Sequence, residues 1–178
     1  DLYMALETQA PAGGGRVEFV LGNHEVMNFY SDLRYIANYA AFAEEQSNTC
    51  REAAYQAYMD WRIKRGEELG KPVAAFTPED QERWMGIHLR GYIERAEALA
   101  PDGKYGAWLR SRPVFVRIDD YIFHHASLSP DMAKLSIDDM NHNIAAEIAL
   151  FDKSRQTLVE AGVILPFFNF DEIIAAAR

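Results

Sequence analysis

Residues 16–25 read RVEFVLGNHE, and the rest of the chain is placed relative to this stretch. Arg16 to Leu21 is a short β-branched and apolar run, the pattern of a buried strand. Gly22, Asn23, His24 and Glu25 follow without a spacer. Glycine permits a sharp backbone turn at a strand end. Asparagine offers a neutral carbonyl oxygen to a hard or borderline divalent cation. On an extended backbone the next side chain points to the opposite side, which leaves His24 free to donate a proton or to stabilise a phosphoryl oxygen. Glu25 can lock the loop by accepting backbone or imidazole hydrogen bonds. A given tetrapeptide arises by chance in a chain of this length on the order of once in a thousand, so its surroundings have to decide what it means.

Upstream, Leu2, Ala5, Leu6 and Gln9 recur at helical spacing until Pro11 and three glycines stop the pattern. Helix, glycine loop, strand and polar loop in that order is the rhythm of an α/β layer, in which loops at the carboxyl ends of strands carry the chemistry. Downstream, the spacing predicts a largely helical block over residues 31–111. Ser31-Asp32 reads as an N-cap pair before LRYIANYAAFAEE, a second helix spans about residues 48–69, and Thr77-Pro78 opens a third with Asp80 completing an acidic capping box. Trp84, Ile87, Gly91, Tyr92 and Leu99 fall near one face of that third helix. Residues 105–111 suggest a short helix or loop. VFVRI and YIFHH, at 114–118 and 121–125, flank Asp119-Asp120 as a β-hairpin would. Helical patterns return at 136–149 and 153–161.

The 178 residues are 49% hydrophobic, a composition that builds one globular core. A formal charge of −9 argues against a sequence-independent grip on nucleic acid. It leaves phosphorylated substrates open, because a bound metal can supply local positive charge. Cys50 is the single cysteine, so no intrachain disulfide forms. No run of ~18 apolar residues spans a membrane.

VLGNHEVMNFYSDLRYI resembles the third motif of the calcineurin-like metallophosphoesterases, and the extension after GNHE is most similar to their bacterial, Shewanella-like phosphoprotein phosphatase branch. About a hundred residues on, PVFVRIDDYIFHHASLSPDM resembles that family's hairpin ending in a metal-binding histidine and Leu-Ser-Pro. The resemblance implies an α/β (α+β) fold, part of a β-sandwich flanked by helices. Residues 1–178 then form a single partial domain, with 31–111 as a helical cap inserted in it. It implies Asn23 and His125 as ligands of one ion of a binuclear manganese, iron or zinc pair, His24 as the proton donor to the leaving oxygen, and Glu25 as support for the loop. Arg34 is a weaker candidate for phosphate contact. Spacing leaves His124 and His125 equivalent; the alignment to Leu-Ser-Pro selects His125.

The family's Asp-x-His and Gly-Asp-x-x-Asp-Arg-Gly motifs and its later Gly-His do not occur here, and Ala126-Ser127 stands where Gly-Gly is usual. The expectation is therefore a hydrolase of phosphomonoesters as a full-length protein, acting on a phosphorylated protein or a small phosphoester, with this segment incomplete at both ends. The alternative is a non-catalytic phosphate-binding or scaffold module. Relatives in the bacterial branch are often exported, so the resemblance favours the periplasm over the cytoplasm. His88 reads as a packed side chain and His142 as a surface residue. The aromatics Tyr35, Tyr39, Tyr55, Tyr58, Trp61, Trp84 and Tyr92 read as packing of the helical block.

Overall fold

The computed structural model describes residues 1–177, and among them eight α-helices, three short 3-10 turns and one β-hairpin make up the regular structure. In chain order these are α1 (Leu2–Gln9), α2 (Asn23–Phe29), α3 (Ser47–Glu68), α4 (Pro78–Ile87), α5 (Tyr92–Ala98), α6 (Lys104–Arg110), β1 (Val116–Ile118), β2 (Tyr121–Phe123), α7 (Ile137–Glu160) and α8 (Phe170–Ala176). The α+β class holds in this coarse form. No second sheet, and hence no sandwich, is present among the described residues.

Two apolar clusters organise the chain. In the first, Ala54 and Tyr55 of α3 pack with Trp84 of α4, Tyr92 and Ile93 of α5, and Tyr39. Each aromatic side chain buried this way contributes about 1.5–3 kcal/mol. Tyr92 keeps its polar tip satisfied by donating to the Phe167 carbonyl at 2.7 Å. In the second, Leu21 and Phe29 pack with Leu109 of α6 and Ile148 of α7. This second cluster holds both ends of the segment around Gly22.

The hairpin matches its expected place. Val116 pairs with Phe123 and Ile118 with Tyr121, antiparallel, around Asp119 and Asp120. Asp119 takes φ 53°, a left-handed conformation that short polar side chains tolerate. Just before β1 the carboxamide of Asn141, on α7, accepts from the N–H groups of Val114 and Phe115 at 2.9 Å each and donates to the Phe115 carbonyl at 2.8 Å.

Four sequence expectations change. Residues 16–21 belong to no ladder; Leu21 donates to the Pro113 carbonyl at 2.9 Å. A strand needs neighbours for its backbone groups, and none lies beside this run among the described residues. Phe19 instead packs on Trp108, with ring centroids 4.9 Å apart.

Residues 33–45 form no long helix. Ser31 adopts φ 57° instead of capping, and only the 3-10 turn Ala40–Phe42 appears. Tertiary contact overrides propensity here: a Cβ on Gly91 (φ 86°) would collide with the Tyr39 carbonyl and crowd the Ala43 amide, so α5's start and this segment pack backbone to backbone.

The third predicted helix is two. Thr77 and Asp80 cap α4 as expected, but His88 leaves helical geometry and turns inward, and α5 begins after the left-handed Gly91. Ile87, expected on the packed face, is exposed. Conversely, the two helices expected over 136–161 are one, α7, capped by Ser136.

Candidate functional site

Gly22 is extended (φ −103°, ψ 178°) and α2 starts at the next residue. Asn23 and His24 therefore sit on the first turn of a helix, not on an extended loop, and they diverge by helical rotation. Glu25 turns back, and its Oε2 accepts the Gly22 N–H at 2.8 Å. That is half of a capping box, and a carboxylate there also suits the positive end of the helix. Its partner is the backbone of Gly22. Leu21 and Phe29, each 2% exposed, clamp the turn from both sides.

Opposite Asn23 stands His125, just beyond β2. Its Nε2 lies 3.0 Å from Asn23 Oδ1, across 102 residues of sequence. With the amide oxygen accepting, Nε2 carries the proton. The approach leaves no room for a side chain at position 22 unless its neighbours shift: a Cβ there would lie 3.0 Å from His125 Cγ and 2.8 Å from Glu25 Oε2. Adjacent His124 faces elsewhere, its ring centroid 5.2 Å from that of Phe115.

His24 does not join the Asn23–His125 contact. Its imidazole stacks on the exposed Tyr35 ring, with centroids 4.9 Å apart and planes 13° from parallel. Sequence reasoning assigned Tyr35 to packing, and no spacing rule connects positions 24 and 35 through an irregular segment. Arg34 is also held away from the pair. Its guanidinium makes bidentate hydrogen bonds to Asp32 at 2.7 and 2.9 Å. Those bonds keep the Asp32 carboxyl below the usual carboxylate range. His88 is fully buried, stacked on Trp84 at 3.8 Å and hydrogen-bonded to the Trp84 carbonyl at 3.0 Å. His142 is exposed on α7.

No group of three or more His, Cys, Asp or Glu side chains able to hold a metal occurs among the described residues. Asn23 and His125 nevertheless fit two positions of one coordination sphere. Ligand atoms about 2.1 Å from a six-coordinate ion stand about 3 Å apart when adjacent, the separation observed here. An amide oxygen and an imidazole nitrogen suit manganese, iron or zinc without choosing among them. To bind an ion, His125 would carry its proton on Nδ1, and the other ligands would come from outside the described residues.

The chain is 24% identical over 159 residues to "Shewanella-like protein phosphatase 2" of Arabidopsis thaliana, a match covering 84% of this chain. It spans 38% of the length of that relative. The match supports a relationship to protein phosphatases; it is to a plant protein and carries no bacterial assignment. No family model matches the chain. No solved structure matches it either.

Proposed function

We propose that the chain is part of a metal-dependent phosphoesterase that hydrolyses phosphomonoesters, with phosphorylated protein as the favoured substrate class. The observation that carries the reading is the 3.0 Å approach of Asn23 Oδ1 and His125 Nε2, which joins two motifs 102 residues apart beside His24. The plant phosphatase match supports the same reading.

Asn23 and His125 would hold one divalent ion, and a second would need ligands from outside the described residues. When bound, such ions supply Lewis-acid stabilisation of the phosphoryl oxygens and a hydroxide nucleophile at neutral pH. Gly22 lets the two ligands meet, and Glu25 fixes the turn that presents Asn23. His24 delivers a proton to the leaving oxygen, and stacking on Tyr35 limits the orientations its ring can take. Residues 31–111 act as a cap that selects among phosphoesters.

The test is hydrolysis of p-nitrophenyl phosphate by the whole protein, with metal content measured in parallel. His24→Ala is expected to lower turnover by about 100-fold or more while metal is retained. Asn23→Ala and His125→Ala are expected to lower both. Equal metal loss in all three variants contradicts these roles. A whole protein without metal-dependent hydrolysis is a binding module, and the catalytic reading fails.

A further inference from the structure

Arg95 on α5 and Arg155 on α7 line a cavity of about 630 Å³ at the carboxyl end of α2. Asn23 lies at the amino end of that helix, about 10 Å away along its axis. The cavity is within the size range of small-molecule sites. Its charged lining is Arg95, Arg110, Arg155 and Lys153 against Asp102 and Asp152. Four cations thus face two carboxylates, on a chain whose formal charge is −9.

The compensation within this lining is uneven. Arg110 is paired with Asp152, through Nε at 2.6 Å and Nη2 at 2.9 Å. Arg95 is 7% exposed, and it donates to the neutral oxygen of Asn28 and lies over the Tyr39 ring. Arg155 donates to Ser31 Oγ at 2.6 Å and to the carbonyls of Pro166 and Phe168 at 2.9 and 2.8 Å. Among the described residues neither arginine meets a carboxylate. Burial pushes both guanidinium pKa values below the ordinary arginine value, and at Arg155 the opposing pull of Tyr92 and Asp152 offsets this only in part.

Removing a cation from water is costly unless a counter-charge accompanies it. Guanidinium matches phosphate in both charge and donor geometry. Phe29, Leu99, Val159 and Phe167 give the same cavity an apolar wall. We propose that this cavity binds a small phosphorylated molecule, its anionic group met by Arg95 and Arg155 and its organic part lying against Phe29, Leu99 and Phe167. The site is separate from the Asn23–His125 pair and does not depend on catalysis there.

The test is calorimetric titration of phenyl phosphate, and of inorganic phosphate for comparison, into the whole protein with chelator present, so that no metal-bound phosphate contributes. Saturable binding with a Kd of about 1 mM or tighter is expected, tighter for phenyl phosphate because of the apolar wall. Arg95→Met should weaken it about tenfold or more. Lys153→Gln, at an exposed position of the rim, should weaken it about threefold without touching the core. Asn23→Ala should leave it unchanged.

Absence of saturable binding to the unaltered protein overturns the proposal. So does wild-type affinity in both Arg95→Met and Lys153→Gln, or loss of binding in Asn23→Ala. Phosphate binding with no metal-dependent hydrolysis would remove the catalytic reading and leave this site standing; hydrolysis without chelator-resistant binding would do the reverse.

Discussion

Replacing Gly22 by alanine should uncouple Asn23 from His125 while leaving the fold in place. The backbone at position 22 is extended, so alanine meets no torsional objection, and the whole cost is contact. The new methyl would sit 2.8 Å from Glu25 Oε2 and 3.0 and 3.1 Å from His125 Cγ and Cδ2. Comfortable carbon–carbon contact is about 3.5–4.0 Å, so the imidazole has to retreat by roughly 0.5–1 Å. His125 lies on an exposed segment and can do so, but its bond to Asn23 does not survive the shift. Glu25 must also release the Gly22 N–H, undoing the cap of α2.

Overpacking and the lost cap together cost about 1–2 kcal/mol, which lowers the thermal midpoint by about 3–6 °C in a chain of this size. The assay is thermal unfolding with imidazole nitrogen NMR of His125. The Nε2–H tautomer bias imposed by Asn23 should disappear. Gly86→Ala is the control: nothing lies within 4 Å of its Cβ position, inside α4. It should stabilise the protein by up to about 1 kcal/mol. A Gly22→Ala protein with wild-type midpoint and an unchanged His125 signal would refute the reasoning.

Two further predictions concern stability. His88→Ala removes a fully buried ring stacked on Trp84 together with its hydrogen bond, and should cost about 3 kcal/mol in urea unfolding; a loss below the error of the measurement would mean the ring is not part of the core. The Asp80 carboxyl is held below its usual value by hydrogen bonds from the Thr77 N–H and hydroxyl. A depressed folded pKa means the stabilisation is present above the unfolded value, about 3.9, and is lost as pH falls through the folded value. The stability gap between wild type and Asp80→Asn should therefore close below about pH 4, and a gap constant from pH 7 to pH 2 would contradict this.

What could be read in advance was what depends on neighbours in sequence. The Thr77-x-x-Asp80 cap, the stop after residue 69 and the two-residue hairpin turn are local chemistry, and all appear. The failures were decided by distant contacts. Residues 33–45 have good helix propensity but lie against Gly91, whose missing side chain lets another backbone take their carbonyl side. The 16–21 run has strand composition, but composition supplies no partner strand. At the candidate site, the residue types after the 16–21 run singled out Asn23 and His24, but spacing left His124 and His125 equivalent and only the family resemblance preferred His125. Their difference is which way the chain turns after β2, toward Phe115 or toward Asn23. The cavity's buried Arg95 and half-buried Arg155 went unnoticed because isolated cations on amphipathic helices look like ordinary surface residues until the helices are packed.

The side chain of Asn141 holds three backbone groups of residues 114 and 115 as an adjacent strand would. Protection of the Val114 and Phe115 amides against hydrogen exchange is therefore not a property of the hairpin. Those amides open when α7 rotates or frays, and they report on a helix whose Asn141 lies 26 residues from Phe115 along the chain. The hairpin that carries His125 thus shares one cooperative unit with α7, and a disturbance of either is felt by both.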